Sequence, residues 1–307
     1  MKIKVFFLIC MLCTSPLFAR VEDHFKKISD NSGMHQMRNI DFIYMINLDE
    51  RPEKFASSSS QLTPYGIFPL RFSAVNGWKL TLEDINDVGL VYDSWMESGV
   101  WGTYYPLDGG GKSVHEIVGT EGRTYFSHTM ARGPIGIVLS HLSVLQDAYD
   151  AGYNTVWVME DDIQVLRDPH LISTYIDKLD ALVGVSGWDI LFTDKDTKNQ
   201  DGDYVPCTAY AWRPNYTPEN PKRFVKKKKV SADFRQVGAR YGAYSMIVRR
   251  SGMRKILEFI KAHKIFLPYD MDLYMPSSVK MFTLFDDVVS TQPRAISDNG
   301  KPNYENK

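Results

Sequence analysis

Thr155-Val156-Trp157-Val158-Met159-Glu160-Asp161-Asp162-Ile163 is the stretch on which the fold turns. Its first five residues are apolar or β-branched, with no polar alternation. A strand buried on both faces reads this way, usually in the interior of a parallel sheet. Three acids then follow. Unpaired carboxylates are costly to bury, so they belong where the strand leaves the sheet. In open α/β sheets, ligands bind at that carboxyl edge. If the backbone stays extended, Glu160 and Asp162 point to one side and Asp161 to the other. Two carboxylates so placed can hold Mg²⁺ or Mn²⁺, with water and substrate phosphates completing the shell. A solvated strand end before a turn at Asp168-Pro169 explains the same acids equally well. The stretch alone leaves both readings open.

Upstream, residues 41–48 give a second doubly apolar strand. Pro52 suits the first turn of a following helix, so this is the opening of a βαβ unit. Arg51 in the loop between them can pair with a phosphate or nucleobase, or simply with a neighbouring acid. Residues 67–75 form another strand, and Pro69 places it near a sheet edge. Residues 78–131 are a long insertion carrying Trp78, Trp95, Trp101, Tyr104 and Tyr105. It is either an acceptor-binding wall or a lid whose aromatics form their own core. Its glycine run, Gly109-Gly110-Gly111, lacks the spacing of a phosphate-binding loop. A helix opens at Arg132, with Gly133 as its cap and Pro134 in its first turn. Val138, Leu142, Leu145 and Tyr149 make its buried stripe, and Ser140 and His141 fall off it. A lone histidine there is ordinarily structural or solvated.

Downstream, residues 188–193 give a strand ending in Asp194-Lys195-Asp196. Residues 197–235 read as loop. Within them, Lys226 to Lys229 form a solvated run or an attractor for anionic acceptors or membranes. Residues 241–248 form a strand, and Ser251 caps a helix bearing Ile256, Leu257 and Ile260. Asp270 and Asp272 follow a proline turn, and residues 282–289 form a late strand.

The whole chain has 307 residues, 44% hydrophobic and 24% charged, with a formal net charge of -1. That balance gives no electrostatic case for nucleic acid. Of three cysteines, Cys10 and Cys13 lie in the extreme N-terminus, which leaves Cys207 alone and no internal disulfide in a processed chain. Lys2 and Lys4 precede an apolar run from Val5 to Cys13, and residues 14–19 lead to a cut after Ala19, although Leu17 is larger than the usual residue three before a cut. Residues 1–19 therefore read as a signal peptide or a membrane anchor, the run being shorter than the roughly 20 residues of a span. The expectation is an exported protein, periplasmic or secreted, or one anchored at its N-terminus and facing either side. Residues 20–39 read as a linker or short helix, 40–296 as the α/β domain with its insertion, and 297–307 as a disordered tail.

Acids at three strand ends or loops suit glycosyl transfer from a sugar nucleotide. A metal neutralises the leaving diphosphate and a separate carboxylate takes the acceptor's proton. Phosphoester hydrolysis uses the same parts. Four segments, in order, resemble glycosyltransferase family 25, the lipopolysaccharide and procollagen galactosyltransferase group. They are residues 46–52, residues 71–77, residues 136–142 followed by 159–162, and residues 241–244 followed by 268–270. The resemblance implies a GT-A-like, Rossmann-type mixed sheet flanked by helices. It also implies an inverting reaction, often with UDP-galactose and Mn²⁺, on a glycan, lipid-linked saccharide or protein acceptor. By the same resemblance Asn47, Leu48, Arg51, Ser140, His141 and Asp161 are donor contacts. Glu160 and Asp162 hold Mn²⁺ or Mg²⁺, and Asp270 or Asp272 is the base. Glu50 stands where the family often has a second Arg, and Ile137 where a Cys is common. An exported phosphoesterase and a silent sugar-binding protein on the same fold are the alternatives.

Overall fold

The computed structural model describes residues 20–28, 35–208 and 211–293. The expected signal or anchor and the expected tail lie outside the described residues. In chain order, β1 (Phe42–Asn47) runs through α1 (Pro52–Leu62) to β2 (Leu70–Ser73). Then come α2 (Leu82–Val88), β3 (Leu90–Val91), β4 (Trp101–Tyr104), β5 (Val114–Ile117) and β6 (Thr124–Ser127). The long α3 (Arg132–Asp150) leads into β7 (Thr155–Glu160), β8 (Ile163–Val165), α4 (Leu171–Val183) and β9 (Ile190–Phe192). The chain continues through β10 (Lys227–Lys229), β11 (Phe234–Val237), β12 (Ser245–Arg249), α5 (Arg250–His263) and α6 (Tyr269–Asp272). It closes with β13 (Met281–Leu284) and β14 (Val289–Thr291).

The molecule is mixed α/β, built on an eight-stranded sheet in the order β10-β11-β13-β9-β12-β7-β1-β2. The apolar runs are explained by two covered faces. Tyr44, Ile46, Val156 and Val158 point into one core with Val138 and Leu142 of α3 and Met253 and Ile256 of α5. Their alternates, Ile43, Met45, Trp157 and Met159, point into the other with Leu62 of α1 and Ile172 and Ile176 of α4. A strand covered on both sides needs no polar alternation.

The sheet is not parallel throughout. β7 pairs parallel with β1 but antiparallel with β12. The chain enters β12 at Ser245, opposite Met159, from the same edge at which β7 ends. β2, with Pro69 just before it, is the terminal strand, as the proline requires. The late strand is two: β13 lies in the main sheet and β14 pairs with β8. The lysine run is not loop but an edge strand, β10, fully exposed, where charge blocks pairing with a second molecule.

The insertion carries its own antiparallel sheet, β3-β6-β4-β5, over buried Tyr92, Tyr105, Tyr125 and Phe126. Trp95 and Trp101 stay on its surface. Residues 20–28 carry the short helix, a 3-10 turn over Val21–His24, and pack against the domain. Val21 is buried, His24 lies 3.4 Å from both Asp84 and Asp87 of α2, and Lys26 Nζ donates to Ser73 Oγ and to Ala74 O, at 2.8 Å each. Ser251 does not cap α5. Its hydroxyl donates to Asp189, and the helix begins one residue earlier.

Candidate active site

A cleft opens where β1, β2 and β7 end, walled by residues 46–48, 74–78, the first turns of α3, and Glu160, Asp161 and Asp162. The polar node beneath it is Asn47, the last residue of β1, which is buried. Its Nδ2 donates to Arg51 O at 2.8 Å and to Asp161 Oδ2 at 2.6 Å, and its Oδ1 accepts from Arg71 Nε at 2.7 Å. The Asn47 amide thus ties together the β1–α1 loop, the end of β7 and Arg71 of β2. Leu48 lies in the cleft wall. Arg51 instead pairs with Glu53, its Nε 2.7 Å from Oε1, and lies outside that wall. This is the ion pair with a neighbouring acid that the sequence offered as the alternative.

The three acids do not continue the strand. Residues 161 and 162 form a turn between β7 and β8, so the same-side alternation fails. Glu160 Oε1 turns toward α3 and lies 2.8 Å from His141 Nε2. Asp161 bonds Asn47, and its carbonyl accepts from Ser58 Oγ at 2.6 Å. Asp162 is half-buried, and its Oδ1 is closed from solvent with no hydrogen-bond partner. Its carboxyl is pushed up to about 7, first by burial and then by the charges of Glu160 and Asp161. Lys54, also in the cleft wall, pulls the other way and is outweighed. A half-buried carboxyl with an orphaned oxygen, raised by its own acidic neighbours, is a place that a divalent cation would relieve. Among the described residues no group of three or more His, Cys, Asp or Glu could hold a metal ion by itself. Glu160 and Asp162 fit such an ion when phosphate oxygens complete its shell.

One side of the cleft is α3, whose residues Gly133, Ile137, Ser140 and His141 share a face at helical spacing. The loop after β2 lies directly on this helix. A Cβ on Gly77 would stand 1.8 Å from Arg132 O, and one on Gly136 would stand 2.5 Å from Gly77 N. Ser140 clamps the same contact, its Oγ accepting from Val75 N at 2.8 Å and donating to Gly136 O at 2.7 Å. Ser140 and His141 are not off the buried side. α3 is covered almost all round, and each is 1% exposed. Their polar groups face protein partners, and both residues also line the cleft.

The two candidate bases part company. Asp270 accepts from Gly242 N at 2.8 Å and lies within electrostatic reach of Glu160. Burial pushes its carboxyl up and the Gly242 N–H opposes it. Gly242 has φ +75, and a Cβ there would strike the Tyr244 ring at 2.7 Å, so the donor's aim depends on glycine. Asp272 is buried, paired with Arg213, and accepts from Leu267 N at 3.2 Å. It fastens α6 to the chain before it and faces no opening. Asp194 is likewise sealed, bonded to Arg240, Tyr244 OH and Ser290 Oγ, and Asp196 pairs with Arg235 at 2.9 Å. Of the three acidic clusters, the one at the end of β7 lines the cleft.

Sequence reading passed over Lys54, Asn76 and Tyr269, and took Trp78 only as one of the insertion's aromatics. Pro52 at the start of α1 was the available signal for Lys54, since it fixes the first helical turn beside the β1 edge. Trp78 is 55% exposed on the cleft rim, and the flanking Lys79 pairs with Glu50. Tyr269 is stacked on His141, with centroids 4.1 Å apart and planes at 13°.

The family model described as Glycosyltransferase family 25 (LPS biosynthesis protein) matches residues 40–275. A "Glycosyltransferase 25 family member" of Aedes aegypti is 24% identical over 164 residues, 53% of this chain and 23% of that protein. One of Anopheles gambiae with the same description is 24% identical over 203 residues, 63% of this chain and 30% of that protein. The chain thus spans less than a third of the length of these curated relatives.

Proposed function

This chain belongs to glycosyltransferase family 25, and on that premise we propose that it is an inverting, metal-dependent hexosyltransferase that moves galactose from UDP-galactose to a glycan, lipid-linked saccharide or protein acceptor. The observation that carries the metal and diphosphate part is the orphaned Asp162 oxygen beside Glu160 at the mouth of the cleft. Glu160 and Asp162 would hold Mn²⁺ or Mg²⁺, which when bound supplies positive charge to the leaving diphosphate. Asn47 keeps Asp161 pulled toward β1, so the acids are fanned apart and not collapsed on one another. Lys54 lies on the same wall and adds a second cation toward the phosphates.

Asp270 acts as the base. Gly242 N–H fixes one of its oxygens, and the other takes the acceptor's hydroxyl proton. Its raised pKa makes it a stronger base than an ordinary exposed aspartate. The acceptor oxygen bonds to the sugar's anomeric carbon as the bond to phosphate breaks, and that electron pair leaves with UDP. Attack from the face opposite the leaving group gives inversion.

No helix among the described residues is long and apolar enough to cross a membrane. Export or N-terminal anchoring is proposed from residues 1–19 alone.

A thermal melt with UDP, with and without Mn²⁺, tests the reading. Stabilisation by UDP that requires the ion, together with UDP release from UDP-galactose, is the expected result. A UDP response indifferent to Mn²⁺ removes the metal from the mechanism, and no UDP response removes the donor.

A further inference from the structure

We propose that His141 and Tyr269 are a positioning pair, which aims the Glu160 carboxylate and fixes its place relative to Asp270. The inference rests on the transferase reading and deepens it. His141 is 1% exposed, so it meets Glu160 from beneath the cleft and not from solvent. Its Nε2 lies 2.8 Å from Glu160 Oε1. With a carboxylate there, Nε2 carries the proton and donates. Nδ1 is buried and has no hydrogen-bond partner. No second bond orients the ring, so its orientation comes from the carboxylate and from the Tyr269 face stacked on it at 4.1 Å.

Tyr269 is itself buried, and its hydroxyl has no hydrogen-bond partner. A buried tyrosine ordinarily finds one. Here the ring, not the hydroxyl, makes the contact. Tyr269 opens α6, and the next residue is Asp270, held by Gly242 N–H. Glu160 N in turn donates to Tyr244 O at 2.9 Å, two residues past Gly242. A closed circuit results: Glu160 to His141 by a hydrogen bond, His141 to Tyr269 by a stack, Tyr269 to Asp270 by the chain, and Asp270 to Glu160 through residues 242–244. The acid on the donor side and the acid on the acceptor side are thereby held at one separation. Outer partners of this kind commonly tune ligand affinity by ten- to a hundredfold.

The test is the affinity of UDP in the presence of Mn²⁺, by calorimetry, with melting temperature as the control for folding. His141→Phe keeps a stackable ring and loses the bond, so the Kd should rise about ten- to a hundredfold. His141→Gln can still donate to Glu160 and should recover most of that loss. Tyr269→Phe should bind as the wild type does, because only the ring matters, whereas Tyr269→Leu should weaken binding several-fold. In a Glu160→Ala background, His141→Phe should cost nothing more, since the side chain it acts through is gone. His141→Phe binding within twofold of wild type overturns the proposal, as does an equal loss in both backgrounds. Should His141→Phe not fold, Tyr269→Leu decides: affinity within twofold of wild type overturns it. Failure of the wild type to bind UDP with Mn²⁺ removes the donor reading and this inference together, so the two failures are distinguishable.

Discussion

Two acidic strand ends lie on the same edge of one sheet, and they meet opposite fates. At the end of β9, Asp194 is sealed inside the protein by Arg240, Tyr244 and Ser290. At the end of β7, Asp162 keeps a buried oxygen with no hydrogen-bond partner, and its neighbours are acids. Both carboxyls are pushed up by burial, but at Asp194 an arginine in contact and two hydroxyls pull back. One site is completed within the protein; at the other the Asp162 oxygen has no hydrogen-bond partner, and on the proposed reading a cation completes it. That difference, and not the count of acids, separates architecture from chemistry here.

The comparison breaks first, and hardest, at the sealed end. Arg240→Met leaves the buried Asp194 charge with only the Tyr244 and Ser290 hydroxyls and should cost about 3–5 kcal/mol, read as a drop in melting temperature of about 10 °C. Asp272→Asn, which removes the counter-charge of buried Arg213, belongs to the same class. Neither should depend on Mn²⁺. An Arg240→Met protein that melts like the wild type would mean that the sealed end is not sealed.

The same contrast recurs across two residues of α6. Asp270→Asn keeps an acceptor for Gly242 N–H, so the fold and the affinity for UDP should survive. Turnover of UDP-galactose should fall about 10²- to 10⁴-fold, the usual share of a general base. Steady-state kinetics with UDP release as the readout checks this. Unchanged turnover would move the base elsewhere.

How much of this was legible beforehand follows from chain distance. The strands at residues 42–47 and 155–160 could be read because both of their faces are apolar, which is a local property. That the acids sit at a strand end is local too. Which acids are neutralised is not, because Arg240 reaches Asp194 across 46 residues and Arg213 reaches Asp272 across 59. Periodicity misplaced Ser140 and His141 for a related reason. A single stripe assumes one buried face, and α3 is covered by the sheet, by α5 and by the loop after β2. The turn at residues 161–162 defeated the alternation argument, since nothing local distinguishes an acid that extends a strand from one that bends it.

The open end should answer to pH and metal. The Asp162 carboxyl is raised from an ordinary 3.8 to about 7, so folding favours its protonated form. Its contribution to stability is complete below the ordinary value and is lost as pH rises toward 7. Asp162→Asn stays neutral throughout. Without metal, the variant should match the wild type near pH 4 and exceed it by about 2 kcal/mol above pH 7, after allowance for partial exposure. The same variant should lose the Mn²⁺-dependent part of UDP binding, at least tenfold by titration. Equal stability of the two proteins at both pH values would show that Asp162 is not strained by its neighbours.

The smallest expected effect lies at the rim, where the open end meets solvent. Trp78 is 55% exposed, yet its backbone is fixed. Gly77 and Gly136 interlock beneath it, Trp78 N donates to Asn76 Oδ1 at 3.0 Å, and Lys79 beside it pairs with Glu50. A large aromatic left exposed on a rigid mount is already ordered before a planar ligand arrives, so stacking on it costs little entropy. Trp78 follows β2, and Asp270 is fixed ahead of β12, on the other side of β7 and β1. The ring therefore lies across β7 and β1 from the candidate base, and on the proposed reading it stacks on the donor's nucleobase. Stacking of a base on an aromatic ring is worth about 1–3 kcal/mol, and a half-exposed ring should give the low end. Trp78→Ala should raise the UDP Kd about fivefold while leaving pyrophosphate binding and melting temperature unchanged. A loss shared equally by UDP and pyrophosphate would place the ring against the phosphates instead, and no loss at all would leave the rim outside the donor site.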